Sequence, residues 1–178
     1  MTPFALRSAA QFRPEAPYAL RSRAYARDVA EVQRLGGDGT TTPSARSADQ
    51  TETALFWLES SPLMWNAVAR RVAVSGHLDA WESARLFGLL DAALADGYVA
   101  SFSAKYVYRF WRPVTAIRLA GHDGNPRTTA DPTWTPLVTT PPIPDHDSAH
   151  AVEGGAAAAV LAGLGALPRV QRHAGRSQ

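Results

Sequence analysis

The chain of 178 residues contains no cysteine, which excludes disulfides and thiolate metal ligands. Lysine is nearly absent too: of its 18 Lys and Arg residues only Lys105 is a lysine. Net charge is small, +2, so an isoelectric point of ≈ 9.3 overstates the basicity. No Lys/Arg run with interleaved aromatics occurs, so the electrostatic footprint of a nucleic-acid partner is missing. Long apolar runs are missing as well. The longest weakly polar stretch, residues 154–168, is mostly Ala and Gly, and a membrane span needs roughly 20 strongly apolar residues. The first residues hold no apolar run of signal-peptide length. These absences predict a soluble chain without a membrane span and leave its compartment unknown. Period-two alternation is also scarce, which leaves an all-α class.

What is present is ordinary globular composition, 46% hydrophobic and 19% charged, enough for one domain. Residues 1–17 contain Pro3, Pro14 and Pro17 and read as an extended lead-in. A helical domain follows over 18–167. The tail 168–178 carries Arg169, Arg172 and Arg176 without an apolar face and is expected to fray. Within the domain, Tyr18, Tyr25, Val29 and Val32 recur at helical spacing until Gly36-Gly37 stops them. Ser47 opens a second helix, and Pro62 sits at the start of a third that Gly76 ends. Asp79-x-x-Glu82 resembles a capping box. It precedes an apolar stripe of Leu86, Phe87, Leu90, Ala93, Leu94 and Tyr98, and the helix is expected to run, with a bend, as far as Trp111 before Pro113. Residues 121–144 hold six prolines, from Pro126 to Pro144, and predict a long irregular loop of the kind that often carries function. Ser148 then opens a last helix. Its Gly154, Gly155 and 156–159 face is small enough for another helix to approach closely.

Two constellations carry chemistry. In the first, Lys105 and Arg112 stand seven residues apart, nearly two helical turns, which places both on one helix face across roughly 10 Å of rise. Arg109 shares that face. Two or three cations on one stripe repel, and an anion between them relieves the repulsion. The guanidinium fork suits a tetrahedral oxyanion and the ammonium serves as a point charge. Tyr106, Tyr108, Phe110 and Trp111 would wall such a site from water. The competing reading is a solvated cationic face, against which stands the lone lysine in an apolar, aromatic run.

In the second constellation, Asp145-His146-Asp147-Ser148-Ala149-His150 leads into the last helix. Ser148 is a natural N-cap, and a helix N-terminus offers free N–H groups to an anion. His150, in the first turn, can exchange a proton with a bound oxyanion. The bland alternative is a simple cap with an exposed histidine. His150-x-x-Glu153 has ligand spacing, but one such pair is weak grounds for a metal, and no metal site is identified. Glu153 fits better as a group that orients His150.

Taken in order, Lys105, six residues and Arg112-Pro113, then Asp147-Ser148-Ala149-His150, resemble the first two motifs of the type 2 phosphatidic acid phosphatase superfamily. The second motif there reads Pro-Ser-Gly-His. The flanks, 104–118, Asp123-Gly124-Asn125, 130–136 and Thr140-Pro141-Pro142, look like its vanadium-dependent haloperoxidase branch, and the likeness extends back through 50–57 and 65–70. The resemblance implies a helical bundle around a buried oxyanion pocket. Lys105 and Arg112 would hold vanadate, or alternatively phosphate. The Ser148 hydroxyl and the Ala149 N–H would add hydrogen bonds, and His150 would act as the acid–base. Hydrogen peroxide and halide are the implied substrates, with phosphoesters as the alternative for an acid phosphatase of the same superfamily.

Three departures qualify the implication. Asp147 replaces the motif proline and puts a carboxylate beside an anion pocket, unless it pairs with Arg109 or points outward. Ala149 replaces the motif glycine. The third motif, with its Arg and the His that bonds vanadium, has no counterpart, since His173 is the only later histidine and sits in an unpatterned tail. The sequence therefore predicts a bundle incomplete at its C-terminus, doubtful turnover, and an apolar face that would draw copies into a homo-oligomer. A non-catalytic helical protein that binds an oxyanion or a partner is the remaining alternative.

Overall fold

The computed structural model describes residues 1–164. Six α-helices occur among them: α1 (Arg23–Leu35), α2 (Ala48–Phe56), α3 (Ser61–Ser75), α4 (Ala80–Tyr108), α5 (Pro113–Arg118) and α6 (Ala149–Gly163). A 3-10 turn spans Ala120–His122. No strand occurs among the described residues, only the isolated bridges Gly37↔Pro136 and Phe110↔Asp145. The fold is all-α.

The local signals explain most boundaries. The Ser22 hydroxyl accepts the Tyr25 N–H at 3.0 Å and starts α1, which Gly36 closes. Ser47 and Gln50 form a reciprocal capping box on α2. Pro62 opens α3, where its missing N–H costs nothing. Asp79 and Glu82 cap each other's backbone at 2.8 and 3.0 Å before α4. The expectation that α4 runs to Trp111 is corrected. It ends at Tyr108 because Arg109 turns left-handed at φ 49, and the chain then enters the bridge with Asp145.

The chain forms two compact units. The first comprises Met1–Gln11, Glu59–Ala100 and residues 149–164. Its core is Leu86, Leu90 and Leu94 on one stripe of α4, with Ala69 of α3 and Ala157 and Leu161 of α6. Burying each leucine contributes roughly 1.5–3 kcal/mol. The small face of α6 receives the Trp65 ring at Gly154, while Gly155, Ala158 and Ala159 face solvent. The lead-in is tied down by the buried Asp96, whose carboxylate accepts the N–H groups of Phe4, Ala5 and Leu6.

The second unit comprises Phe12–Leu58 and Ser101–Ser148. Its core is Tyr25 and Val29 of α1, Ile117 of α5 and Trp134. The proline-rich loop is irregular, as its composition predicts, yet it is anchored. The Trp134 indole donates to the Gln33 carbonyl at 3.1 Å, and Asn125 donates from Nδ2 to the Leu20 and Ser22 carbonyls at 2.7 and 3.0 Å. The Asp123 carboxylate accepts Asn125 N–H and the Thr128 hydroxyl. Gly36 suits this close approach, because a Cβ would sit 2.7 Å from the Val32 carbonyl and 3.1 Å from the Trp134 ring.

Candidate oxyanion site

Lys105 lies in the last turn of α4 and is 3% exposed. Its ammonium donates to the backbone carbonyl of Asp147. Burial pushes its pKa down. Asp145 and Asp147 oppose that shift and the Arg112 charge adds to it, with a net lowering.

Arg112 is not on the helix face of Lys105, as the seven-residue spacing predicts. It is extended, at φ −74 and ψ 154, and forms the N-cap position of α5. The reason is the same left-handed Arg109 that ends α4. The two cations are nevertheless near neighbours, brought together by a turn instead of a helix stripe. Arg112 Nε donates to the Ile143 carbonyl at 2.7 Å, and Nη1 meets the Asp145 carboxylate at 3.5 Å, while Nη2 makes neither bond.

Arg109 leaves the cluster. It is exposed and folds back on the Tyr106 carbonyl at 3.3 Å. Asp147 does not pair with it. The Asp147 carboxylate accepts the hydroxyl of the buried Ser101. The aromatic wall is also rearranged. Phe110 and Trp111 pack on Tyr25, with ring centroids 6.3 and 6.5 Å away, and Tyr106 is exposed. Sequence reasoning missed Ser101 and the role of Asp145. Only the carboxylates flanking His146 signalled them.

The cluster is framed by the Phe110↔Asp145 bridge, where Asp145 N–H donates to the Phe110 carbonyl at 2.9 Å. Arg109 precedes one side of the bridge and His146 follows the other, both at φ 49. Each such residue costs about 1–2 kcal/mol. His146 is held by the Glu15 carbonyl at 2.8 Å from Nε2 and by the Tyr108 ring, 5.4 Å away. Ser148, exposed, closes this unit.

Ala149 and His150 belong to the first unit, at the start of α6. His150 is exposed, and its Nε2 lies 3.2 Å from the Glu59 carbonyl. A carbonyl only accepts, so the neutral ring carries its proton on Nε2 and leaves Nδ1 as the base. Glu153 lies one turn on. It is 1% exposed, and its Oε1 has no hydrogen-bond partner. Burial raises its pKa, with the nearby Ser61 hydroxyl and the His150 charge opposing. Among the described residues no group of three or more His, Cys, Asp or Glu could hold a metal ion. His173 and the expected tail lie outside the described residues.

Residues 85–170 match the family model of the VCPO second helical-bundle domain. The chain is 31% identical over 148 residues to the vanadium chloroperoxidase of Curvularia inaequalis, covering 68% of this chain and 24% of that protein. It also matches the crystal structure of a bacterial vanadium-dependent iodoperoxidase, with a TM-score of 0.72 and 28% identity over 91% of this chain and 40% of that one. The chain thus spans a minor part of each relative. These matches define the class, an all-helical bundle of the haloperoxidase type. The protein is a relative of the vanadium-dependent haloperoxidases. No helix among the described residues is long and apolar enough to cross a membrane.

Proposed function

We propose that Lys105 and Arg112 form the cationic part of a vanadate cradle in a haloperoxidase-like protein. The observation that carries this reading is the only lysine of the chain, buried beside an arginine whose Nη2 makes none of the bonds that hold its Nε and Nη1. A buried lysine held below its ordinary pKa by burial gains from an added anion. The donor set of the second unit fits a tetrahedral oxyanion: a point charge, part of a guanidinium fork and the Ser148 hydroxyl.

Bound vanadate would supply the Lewis acidity that activates hydrogen peroxide toward a halide. Around it, Lys105 and Arg112 neutralise charge on the anion's oxygens. In the first unit His150, with Nε2–H on the Glu59 carbonyl, keeps Nδ1 as a proton acceptor. Asp145 and Asp147 compensate the cations before an anion arrives, so affinity is expected to be modest and salt-sensitive. Phosphate fits the same donors and should compete.

Calorimetric titration of orthovanadate into the 178-residue chain, alongside Lys105→Ala and His150→Ala, tests the reading. Saturable binding that Lys105→Ala abolishes and His150→Ala retains is expected. Absence of saturation, or binding indifferent to Lys105→Ala, would overturn it.

A further inference from the structure

A cavity of about 510 Å³ lies wholly within the second unit, between residues 14–18, α1 and the segment 110–117. That volume is within the range of small-molecule sites, ~300–1,000 Å³. Tyr18, Tyr25, Phe110 and Trp111 supply aromatic walls. Trp111 lies nearly parallel to Tyr25, at 20°, and Phe110 meets Tyr25 edge-on, at 90°. Tyr18 is largely exposed and stands at the rim.

The polar lining has one sign. Its acidic lining residues are Glu15, Asp28 and Asp145, and no Lys or Arg lines the cavity. His146 is the one basic lining residue, and its Nε2 is engaged by the Glu15 carbonyl. Two arginines outside the lining partly offset this charge: Arg27 on Asp28 at 3.1 Å, and Arg112 on Asp145 at 3.5 Å. The first pair is exposed on both sides and so weak. The second is long and shared with the Ile143 carbonyl.

Aromatic faces carry negative quadrupole density and attract ammonium groups, most strongly where water is excluded. A neutral apolar occupant would bury the same surface but remove water from the carboxylates without replacing their counter-charge. An anionic occupant would meet carboxylates with no lining cation. We infer that this cavity binds a small organic cation, an alkylammonium or quaternary ammonium group enclosed by Tyr18, Tyr25, Phe110 and Trp111. The site stands apart from the oxyanion reading and does not depend on it, although the Phe110↔Asp145 bridge contributes to both.

The test compares choline with its neutral isostere 3,3-dimethylbutan-1-ol, by calorimetry and tryptophan fluorescence on the full chain. Choline should bind saturably, and about tenfold more tightly than the alcohol. Tyr18→Ala and Asp28→Asn alter side chains outside the core, so their thermal melts should match the parent. Each should weaken choline several-fold. Equal affinity for the alcohol would overturn the cation assignment. Choline binding that neither variant weakens, or no saturation with choline at all, would overturn the site itself.

Discussion

The Lys105 ammonium donates to the backbone carbonyl of Asp147, 42 residues along the chain, and this bond ties the last turn of α4 to the residue before Ser148. The lysine is held there against the desolvation that lowers its pKa. That balance has a sign. Its folded pKa lies below the ordinary value of 10.5, so the charged lysine costs stability at neutral pH, and the cost fades as pH rises toward 10.5.

Lys105→Met should therefore separate stability from binding. The variant should melt at or above the parent temperature at pH 7, because the burial that lowers the Lys105 pKa outweighs its attraction to Asp145 and Asp147. Orthovanadate affinity should fall at least about tenfold, by roughly 1.4 kcal/mol or more. Thermal melts and calorimetry on the same sample check both halves. A lower melting temperature with unchanged affinity would assign Lys105 a purely structural role.

Asp147→Asn should strengthen anion binding. The amide oxygen can still accept from Ser101, while the negative charge is lost. Removing one carboxylate near the cations is worth about 1 kcal/mol at an exposed-to-intermediate site, or roughly fivefold in affinity. The gain should shrink in high salt.

Glu153→Gln should stabilise the chain at neutral pH and have little effect near pH 4. The folded carboxyl is pushed above its ordinary value of 4.5 chiefly by burial. Between the unfolded and folded pKa the native state binds more protons, so stability falls as pH rises through that window. The glutamine does not titrate and should flatten the fall. Urea unfolding at pH 4 and pH 7.5 measures it.

Asp96→Asn should release the lead-in. Burial raises the Asp96 carboxyl, but the N–H groups of Phe4, Ala5 and Leu6 outweigh it and hold the pKa below 3.8. Its contribution is therefore present above pH 3.8 and lost as pH falls through the folded value. The charge-assisted bonds together are worth about 1–3 kcal/mol. Amide exchange at Phe4, Ala5 and Leu6 should quicken in the variant while exchange at Leu90 stays slow.

Much of this fold was legible in the sequence, because its helix boundaries rest on local chemistry. Ser47 with Gln50, Asp79 with Glu82, and Pro62 act within one turn of themselves. The stripe Leu86, Leu90 and Leu94 is likewise a local pattern that becomes a core. What was not legible acts over distance. Asp96 reaches about 90 residues back to the lead-in, Asn125 reaches Leu20, and Trp134 reaches Gln33. No periodicity encodes such bonds. In the candidate site the sequence named residues and misjudged their geometry. Lys105 and Arg112 were recognisable as a pair, yet nothing in an aromatic, helix-compatible run announces that Arg109 adopts positive φ and turns Arg112 off the helix.

The Phe110↔Asp145 bridge makes a closed ring of the residues between them. Ring closure depends only weakly on contour length, about 0.6 kcal/mol per doubling, so the ring can grow without moving its clasp. The place to grow is the exposed pair 129–130, beyond the Thr128 bond to Asp123 and before Trp134. The short stretches at the clasp, 105–112 and 143–147, have no such freedom. One residue gained or lost there would rotate Lys105 or Arg112 away from its partners. Variation in length should accumulate in the one place and be purged from the other.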